Sequence, residues 1–327
     1  MEKIRWGIIA TGNIASKFAE ACRYESARSG RSILSGVASR DPGRARQFAS
    51  RWGIPNTFGS YDELFLSPEI DAVYIATPHN QHASLSIAAL RAGKAVLCEK
   101  PVSITCAEFR PVVETARSEK RFFMEAMWMK FNPSFRRALQ WVAEGRIGTL
   151  RFIRSDFFLD KPYDPESRLY NPALGGGALL DVGIYPVTCA LMFAGKQKPS
   201  EMDCQVEWND QGVDLYEKVA MSWPSGLKAD LSSAINLKGV EALRSAAILG
   251  DRGSIVLPFF WMAQEARLYG EHDTEIEHFR SPFECNGYEY EIREVEDCLF
   301  RGVVESPVQT WADSIMVMEL LDDIRKK

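Results

Sequence analysis

The chain has 327 residues, 46% hydrophobic and 25% charged, a composition that excludes a disordered or fibrous protein. At roughly 150 residues per domain the length predicts two domains. A formal net charge of −5 and a pI near 5.6 give no general attraction for nucleic acid or an anionic membrane surface, so neither partner is expected.

Along residues 1–127, apolar runs of strand length alternate with helical patterns. Ile4 to Ala10, Ser32 to Ala38, Ala72 to Ala76, Ala95 to Cys98 and Phe122 to Ala126 read as strands. Several are continuously apolar, as in a parallel sheet covered on both faces. Segments near 13–23, 42–52, 80–92 and 104–119 read as helices of about three turns. The alternation predicts an α/β N-terminal Rossmann domain, a doubly wound parallel sheet. From residue 128 to 327 the pattern changes. A helix near 133–144 precedes strand-like runs at 149–158, 202–208, 216–223, 227–237, 244–249, 254–259 and 265–270, with turns such as Pro224-Ser225-Gly226 between them. This predicts an α+β C-terminal domain with a mainly antiparallel sheet, closed by two helices.

Residues 1–127 carry 17 Lys and Arg against 13 Asp and Glu, leaving 22 against 31 for the remainder. The excess suits an anionic cofactor, and a chance spread of surface charge accounts for it equally. Seven scattered cysteines show no CxxC pair and no zinc-type spacing, which fits a reduced, cytoplasmic compartment. The first residues enter a strand directly, without signal-peptide features. Ala173 to Gly195 is apolar enough to imitate a membrane span. Asp181 near its centre, with five interrupting Gly and Pro residues, marks it instead as a buried functional segment of a soluble protein.

The first strand leads into Ala10-Thr11-Gly12-Asn13-Ile14-Ala15, an AxGxxA version of the GxGxxG dinucleotide fingerprint. It keeps the middle glycine, which lets a pyrophosphate approach the backbone at a helix N-terminus. Where an NAD-selective chain places an acid, this one has Ser39-Arg40-Asp41 and then Arg44. Ser and Arg suit a ribose 2′-phosphate, so NADP is favoured over NAD, while Asp41 before Pro42 reads as a helix cap. Strand four ends in Thr77-Pro78-His79-Asn80-Gln81-His82. The two histidines have no third ligand nearby, so cofactor-loop contacts are expected and no metal. Strand five ends in Glu99-Lys100-Pro101, at the sheet edge where ligands of such folds bind; an X-Pro bond there can be cis. In Gly175-Gly176-Gly177-Ala178-Leu179-Leu180-Asp181-Val182-Gly183-Ile184-Tyr185, a helix starting near Ala178 would put Asp181 and Tyr185 on one face.

Together these motifs resemble the glucose-fructose oxidoreductase/inositol dehydrogenase (Gfo/Idh/MocA) family over nearly the whole chain. Met124-Glu125-Ala126-Met127-Trp128 and Tyr185 point to its dihydrodiol and NADP-dependent D-xylose dehydrogenase branch, and Tyr185 stands where many members have His. The resemblance implies hydride transfer between NADP and a hydroxyl of a sugar, polyol or cyclic diol, and a homodimer or homotetramer formed through the C-terminal sheet. Such an oxidation needs a base for the hydroxyl proton. Tyr185 is assigned proton transfer, Lys100 the tuning of that phenol and contact with the reacting oxygen, and Asp181 the orienting of substrate or Lys; exchanged roles for Tyr185 and Lys100 remain open. Trp128 supplies an apolar or sugar-stacking wall. Arg168, Asn171 and Tyr163 lie in a preceding polar loop and read equally as substrate contacts or ordinary surface. A sugar–sugar oxidoreductase with tightly held NADP, and an NADP(H)-binding sensor without turnover, are the alternatives.

Overall fold

The computed structural model describes residues 3–238 and 244–326. These form two compact units, Met1–Trp128 with Phe283–Ile315, and Met129–Pro282 with Met316–Lys327.

The first stretch runs β1 (Ile4–Ile9), α1 (Asn13–Ser29), β2 (Ser32–Ala38), α2 (Pro42–Trp52), β3 (Asn56–Phe58), α3 (Tyr61–Leu66), β4 (Ala72–Ile75), α4 (His82–Arg91), β5 (Ala95–Glu99), α5 (Cys106–Ser118) and β6 (Phe123–Ala126). The six strands are all parallel, in the order β3-β2-β1-β4-β5-β6. β4, β5 and β6 are buried throughout, which explains their mainly apolar character; Glu99 and Glu125 are the buried acids among them. Strand order reverses between β1 and β4, opening a crevice at their carboxyl ends. Asp41 caps α2 by accepting from the Gly43 and Arg44 N–H groups, and Gly53 ends it in a left-handed conformation. β3 and α3, unforeseen from the sequence, have only three and six residues, too few to show a period.

Glycine in two neighbouring strands makes room for α3 and its flanks. A Cβ on Gly7 would lie 2.8 Å from a Leu64 methyl, and one on its register partner Gly36 would lie 2.6 Å from the Phe58 ring and 2.9 Å from Ile70.

The second stretch comprises α6 (Pro133–Ala143), β7 (Leu150–Phe158), α7 (Ile184–Phe193), β8 (Glu201–Trp208), β9 (Asp214–Ser222), β10 (Lys228–Ala234), β11 (Ser245–Gly250), β12 (Ser254–Pro258), β13 (Glu265–Tyr269) and β14 (Glu275–Arg280). The strands form one sheet in the order β14-β13-β12-β11-β7-β10-β9-β8, antiparallel except for β7 beside β10. α7 packs on β7, β10 and β11, while α6 packs on β12, β13 and β14. β14 was not foreseen, because its charged EIEHFR sequence carries little apolar signal. Pro172–Phe193 is long and apolar enough to cross a membrane, yet 89% of its most apolar window is buried inside the protein. It is core.

α8 (Glu289–Arg301) then returns to the first unit, and α9 (Trp311–Arg325) contains the last boundary between the units. α8 packs on α1, where the Arg293 guanidinium reaches the fully buried Glu25 carboxylate at 2.6 Å, alongside Arg28 at 2.6 Å. Farther on, Ser314 Oγ and Gln309 Nε2 donate to Glu125 Oε2 at 2.6 and 3.1 Å, and Trp311 Nε1 donates to the Phe123 carbonyl at 3.0 Å. These bonds tie β6 to the returning chain.

Gly36→Val should destabilise the protein by about 1–3 kcal/mol through overpacking. Urea unfolding measures this, and an unchanged midpoint would refute the close packing at β2.

Candidate functional site

The β1 strand stops at Ile9 because Ala10 adopts φ 82°, a left-handed conformation that glycine favours. This alanine stands at the first glycine position of the dinucleotide fingerprint and makes the glycine-type turn despite its Cβ. α1 then starts at Asn13, after Gly12, with no side chain accepting from its first N–H groups, and no atom comes within 4 Å of a Cβ built on Gly12. An uncapped helix start with open space over it suits an anion.

A cleft of about 510 Å³ lies at this turn. Ala10, Thr11, Gly12, Asn13, Ser39, Arg40, Arg44, Thr77 and Pro78 all line it. Ile14 lies on the exposed first turn of α1 and is absent from that lining. Arg51 and Tyr61 also line the cleft, and the sequence reading missed them. Arg51 lies two helical turns beyond Arg44 and so shares its face, a spacing visible in the sequence. Tyr61 comes from the unforeseen α3; its phenol is raised by burial, an effect opposed by the Arg40 charge and a hydrogen bond to the Arg40 backbone. With positive charge on one wall and the helix start on another, the residues present fit a dinucleotide carrying a phosphorylated ribose.

His79 is buried, and His82 is wholly so. The His82 ring nitrogens face the Pro101 carbonyl at 2.7 Å and the Thr77 carbonyl at 2.9 Å. His82 therefore staples the loop after β4 to the turn after β5. The Lys100–Pro101 bond is cis. Glu99 accepts from the Tyr74 hydroxyl and, at 3.3 Å, from the Lys100 backbone N–H, while Lys100 is half-buried. Trp128 packs 5.2 Å from the Tyr288 ring and 6.1 Å from Phe283. Gly287 permits this, since a Cβ there would lie 2.8 Å from the indole. Nothing local in the sequence links residues 283–288 to Trp128.

In the second unit helix begins at Ala178, where the sequence places it, but the turn that follows is not α-helical. Leu179–Gly183 is a π-helical turn that gives way to α7 at Ile184, a feature frequent at functional sites. Asp181 and Tyr185 are both buried on these consecutive turns. Arg168 Nη1 donates to Asp181 Oδ1 at 2.8 Å. Close packing explains the glycines: a Cβ on Gly176 would lie 2.7 Å from two backbone carbonyl oxygens, and one on Gly177, at φ 128°, would lie 2.1 Å from Asp214. Asp214 Oδ2 accepts from the Leu179 N–H at 2.6 Å, holding the start of the π turn. Beneath it Ser233 donates to Glu217. Burial pushes the Glu217 carboxyl well above the usual carboxylate range, and the nearby Asp214 charge adds to the effect. Asp214, Glu217 and Ser233 come from β9 and β10, so only the folded chain reveals them as supports of this turn.

Comparison with known proteins places these features in context. Residues 4–127 match a family model described as an oxidoreductase family with an NAD-binding Rossmann fold, and residues 135–256 match a GFO/IDH/MocA C-terminal domain. The chain is 36% identical to a human trans-1,2-dihydrobenzene-1,2-diol dehydrogenase and 35% identical to the mouse protein of that name, each match covering 99% of this chain and 96% of the relative. Among solved structures it is similar to a 3-ketoreductase from Actinomadura kijaniata in complex with NADP and TDP-benzene, with 25% identity, a TM-score of 0.86, and coverage of 99% and 97% of the two chains.

A carboxyl raised by folding contributes stability that is complete below its unfolded pKa and lost as pH rises through its folded pKa. The urea midpoint should therefore fall as pH is raised above the usual carboxylate range, and Glu217→Gln should reduce that slope. Parallel pH curves for the two proteins would remove Glu217 from this role.

Proposed function

The chain belongs to the GFO/IDH/MocA oxidoreductase family, and on that premise we propose that it transfers a hydride between NADP and a hydroxyl-bearing carbon of a cyclic diol, sugar or polyol. The observation that carries the cofactor assignment is the cleft at the uncapped start of α1, where Ser39, Arg40 and Arg44 replace the acid of an NAD-selective site. Both guanidinium groups can hold a 2′-phosphate bidentately. NADP, when bound, supplies the carbon that accepts or gives the hydride.

The protein's own residues manage the proton and the substrate. Tyr185 takes the hydroxyl proton in the oxidative direction. A free phenol has a pKa of about 10, too high for an efficient base at neutral pH, and the role of Lys100 is to favour the phenolate with its ammonium charge. Asp181 orients substrate hydroxyls, and Trp128, braced by Tyr288 and Phe283, offers an aromatic wall. The buried positions of Asp181 and Tyr185 support these roles, since an acid and a phenol in an apolar segment are costly to retain without a use. The diol and sugar substrate class is supported by the identity to the dihydrodiol dehydrogenases.

We also propose a homodimer or homotetramer formed through the eight-stranded sheet. Exposed Trp208, Leu249 and Ile276 on β8, β11 and β14 support it. Seven free thiols support a reducing, cytoplasmic compartment.

A panel of diols and aldoses assayed with NADP and NAD tests the activity. Lys100→Met and Tyr185→Phe should each lower kcat at least about 100-fold with the fold intact, and losses within about threefold would defeat the assignment. In the same assay, Arg40→Ala with Arg44→Ala should raise KM for NADP at least about tenfold and leave that for NAD nearly unchanged. Light scattering should give a multiple of the 36.8 kDa protomer, and thiol titration seven reactive groups after unfolding. A monomer, or fewer thiols, would contradict the respective proposals.

A further inference from the structure

The Arg168 side chain is 47% exposed, yet its guanidinium donates to Asp181, whose side chain is only 9% exposed. The loop presenting it is held in place. Tyr170 donates to the Lys161 carbonyl at 2.7 Å, and the Tyr163 ring meets the Tyr170 ring edge to face at 5.1 Å. The Gly176 and Gly177 N–H groups bond back to the carbonyls of Asn171 and Leu169 at 3.0 and 2.9 Å. A Cβ on Gly176 would lie 2.7 Å from the Arg168 carbonyl oxygen, so the backbone at Arg168 lies directly against the glycine run leading to Asp181. The pair compensates the charge of a nearly buried carboxylate, while the half-exposed guanidinium keeps donors beyond its one bond to Asp181.

Resting on the diol and sugar reading above, we propose that Arg168 is a specificity-determining residue, whose guanidinium together with the Asp181 carboxylate selects neutral substrates bearing two adjacent hydroxyls. The chemistry is complementary. Guanidinium only donates, an ionised carboxylate only accepts, and a hydroxyl does both. One hydroxyl can donate to Asp181 while its neighbour accepts from a further Arg168 N–H. A lone hydroxyl leaves half of this arrangement unanswered, and unanswered polar groups are the strongest source of discrimination. The Arg168 and Asp181 charges offset one another, and the preceding loop carries Asp160, Asp164 and Glu166 against Lys161, so this pair adds no attraction for an anionic substrate.

The test uses the full-length NADP-loaded protein with trans-cyclohexane-1,2-diol and cyclohexanol, measuring turnover and, by calorimetry, binding. Arg168→Gln should raise KM and Kd for the diol about 10- to 100-fold. It should raise Kd for the diol at least about fivefold more than Kd for cyclohexanol, and Arg168→Lys should restore part of the loss. Unchanged diol affinity would overturn the proposal, as would equal losses for both alcohols with kcat falling in parallel. A wild-type chain that binds the diol but turns over no alcohol or sugar would sink the dehydrogenase reading instead, while the calorimetric difference between diol and cyclohexanol would still decide the role of Arg168.

Discussion

The leading N–H groups of α1 receive no side-chain cap, and the reversal of strand order between β1 and β4 leaves that end facing a crevice. Backbone donors and a helix dipole directed at solvent gain most from an anion. The surrounding features follow from this constraint: the left-handed Ala10 that turns the chain into the helix, the small residues at the turn, and the guanidinium groups of Arg40, Arg44 and Arg51 along one wall. Asp41, which in another arrangement would compete for a ribose hydroxyl, is occupied capping α2.

The second unit solves a different problem, presenting polar groups from an apolar segment. A π turn between Ala178 and α7 sets Asp181 and Tyr185 within buried surroundings. The turn is tolerated because its first N–H has Asp214 as a partner and because Gly176, Gly177 and Gly183 let neighbouring groups approach closer than any Cβ permits. Buried polar groups impose a large penalty when unpaired. Ser233 meets part of this by donating to Glu217, whose carboxyl burial raises well above the usual range, and Asp214 by accepting from the Leu179 N–H.

Much of this was legible in the sequence, for identifiable reasons. Largely apolar runs of strand length gave away β1, β2, β4, β5 and β6, and Pro42 after Asp41 marked the start of α2 at the right residue. β3, α3 and β14 were hidden by shortness or charge, and Tyr61 was hidden with α3. The motif Gly175–Tyr185 was visible as unusual, but its π geometry was not, because its support comes from strands about 35 to 50 residues away. His82 shows a further feature hidden from the sequence, since its ring nitrogens face the Pro101 and Thr77 carbonyls and join two loops.

The return of α8 to the first unit limits how this protein can be divided. Glu25, fully buried on α1, is balanced by Arg28 from its own helix and by Arg293 from a segment more than 250 residues downstream. A fragment cut after Trp128 would lose Arg293, along with the Trp311, Ser314 and Gln309 side chains that complete β6. Any graft of this nucleotide-binding module onto another catalytic partner must therefore carry both pieces, and recombination between relatives preserves the module only when crossover points respect its discontinuous make-up.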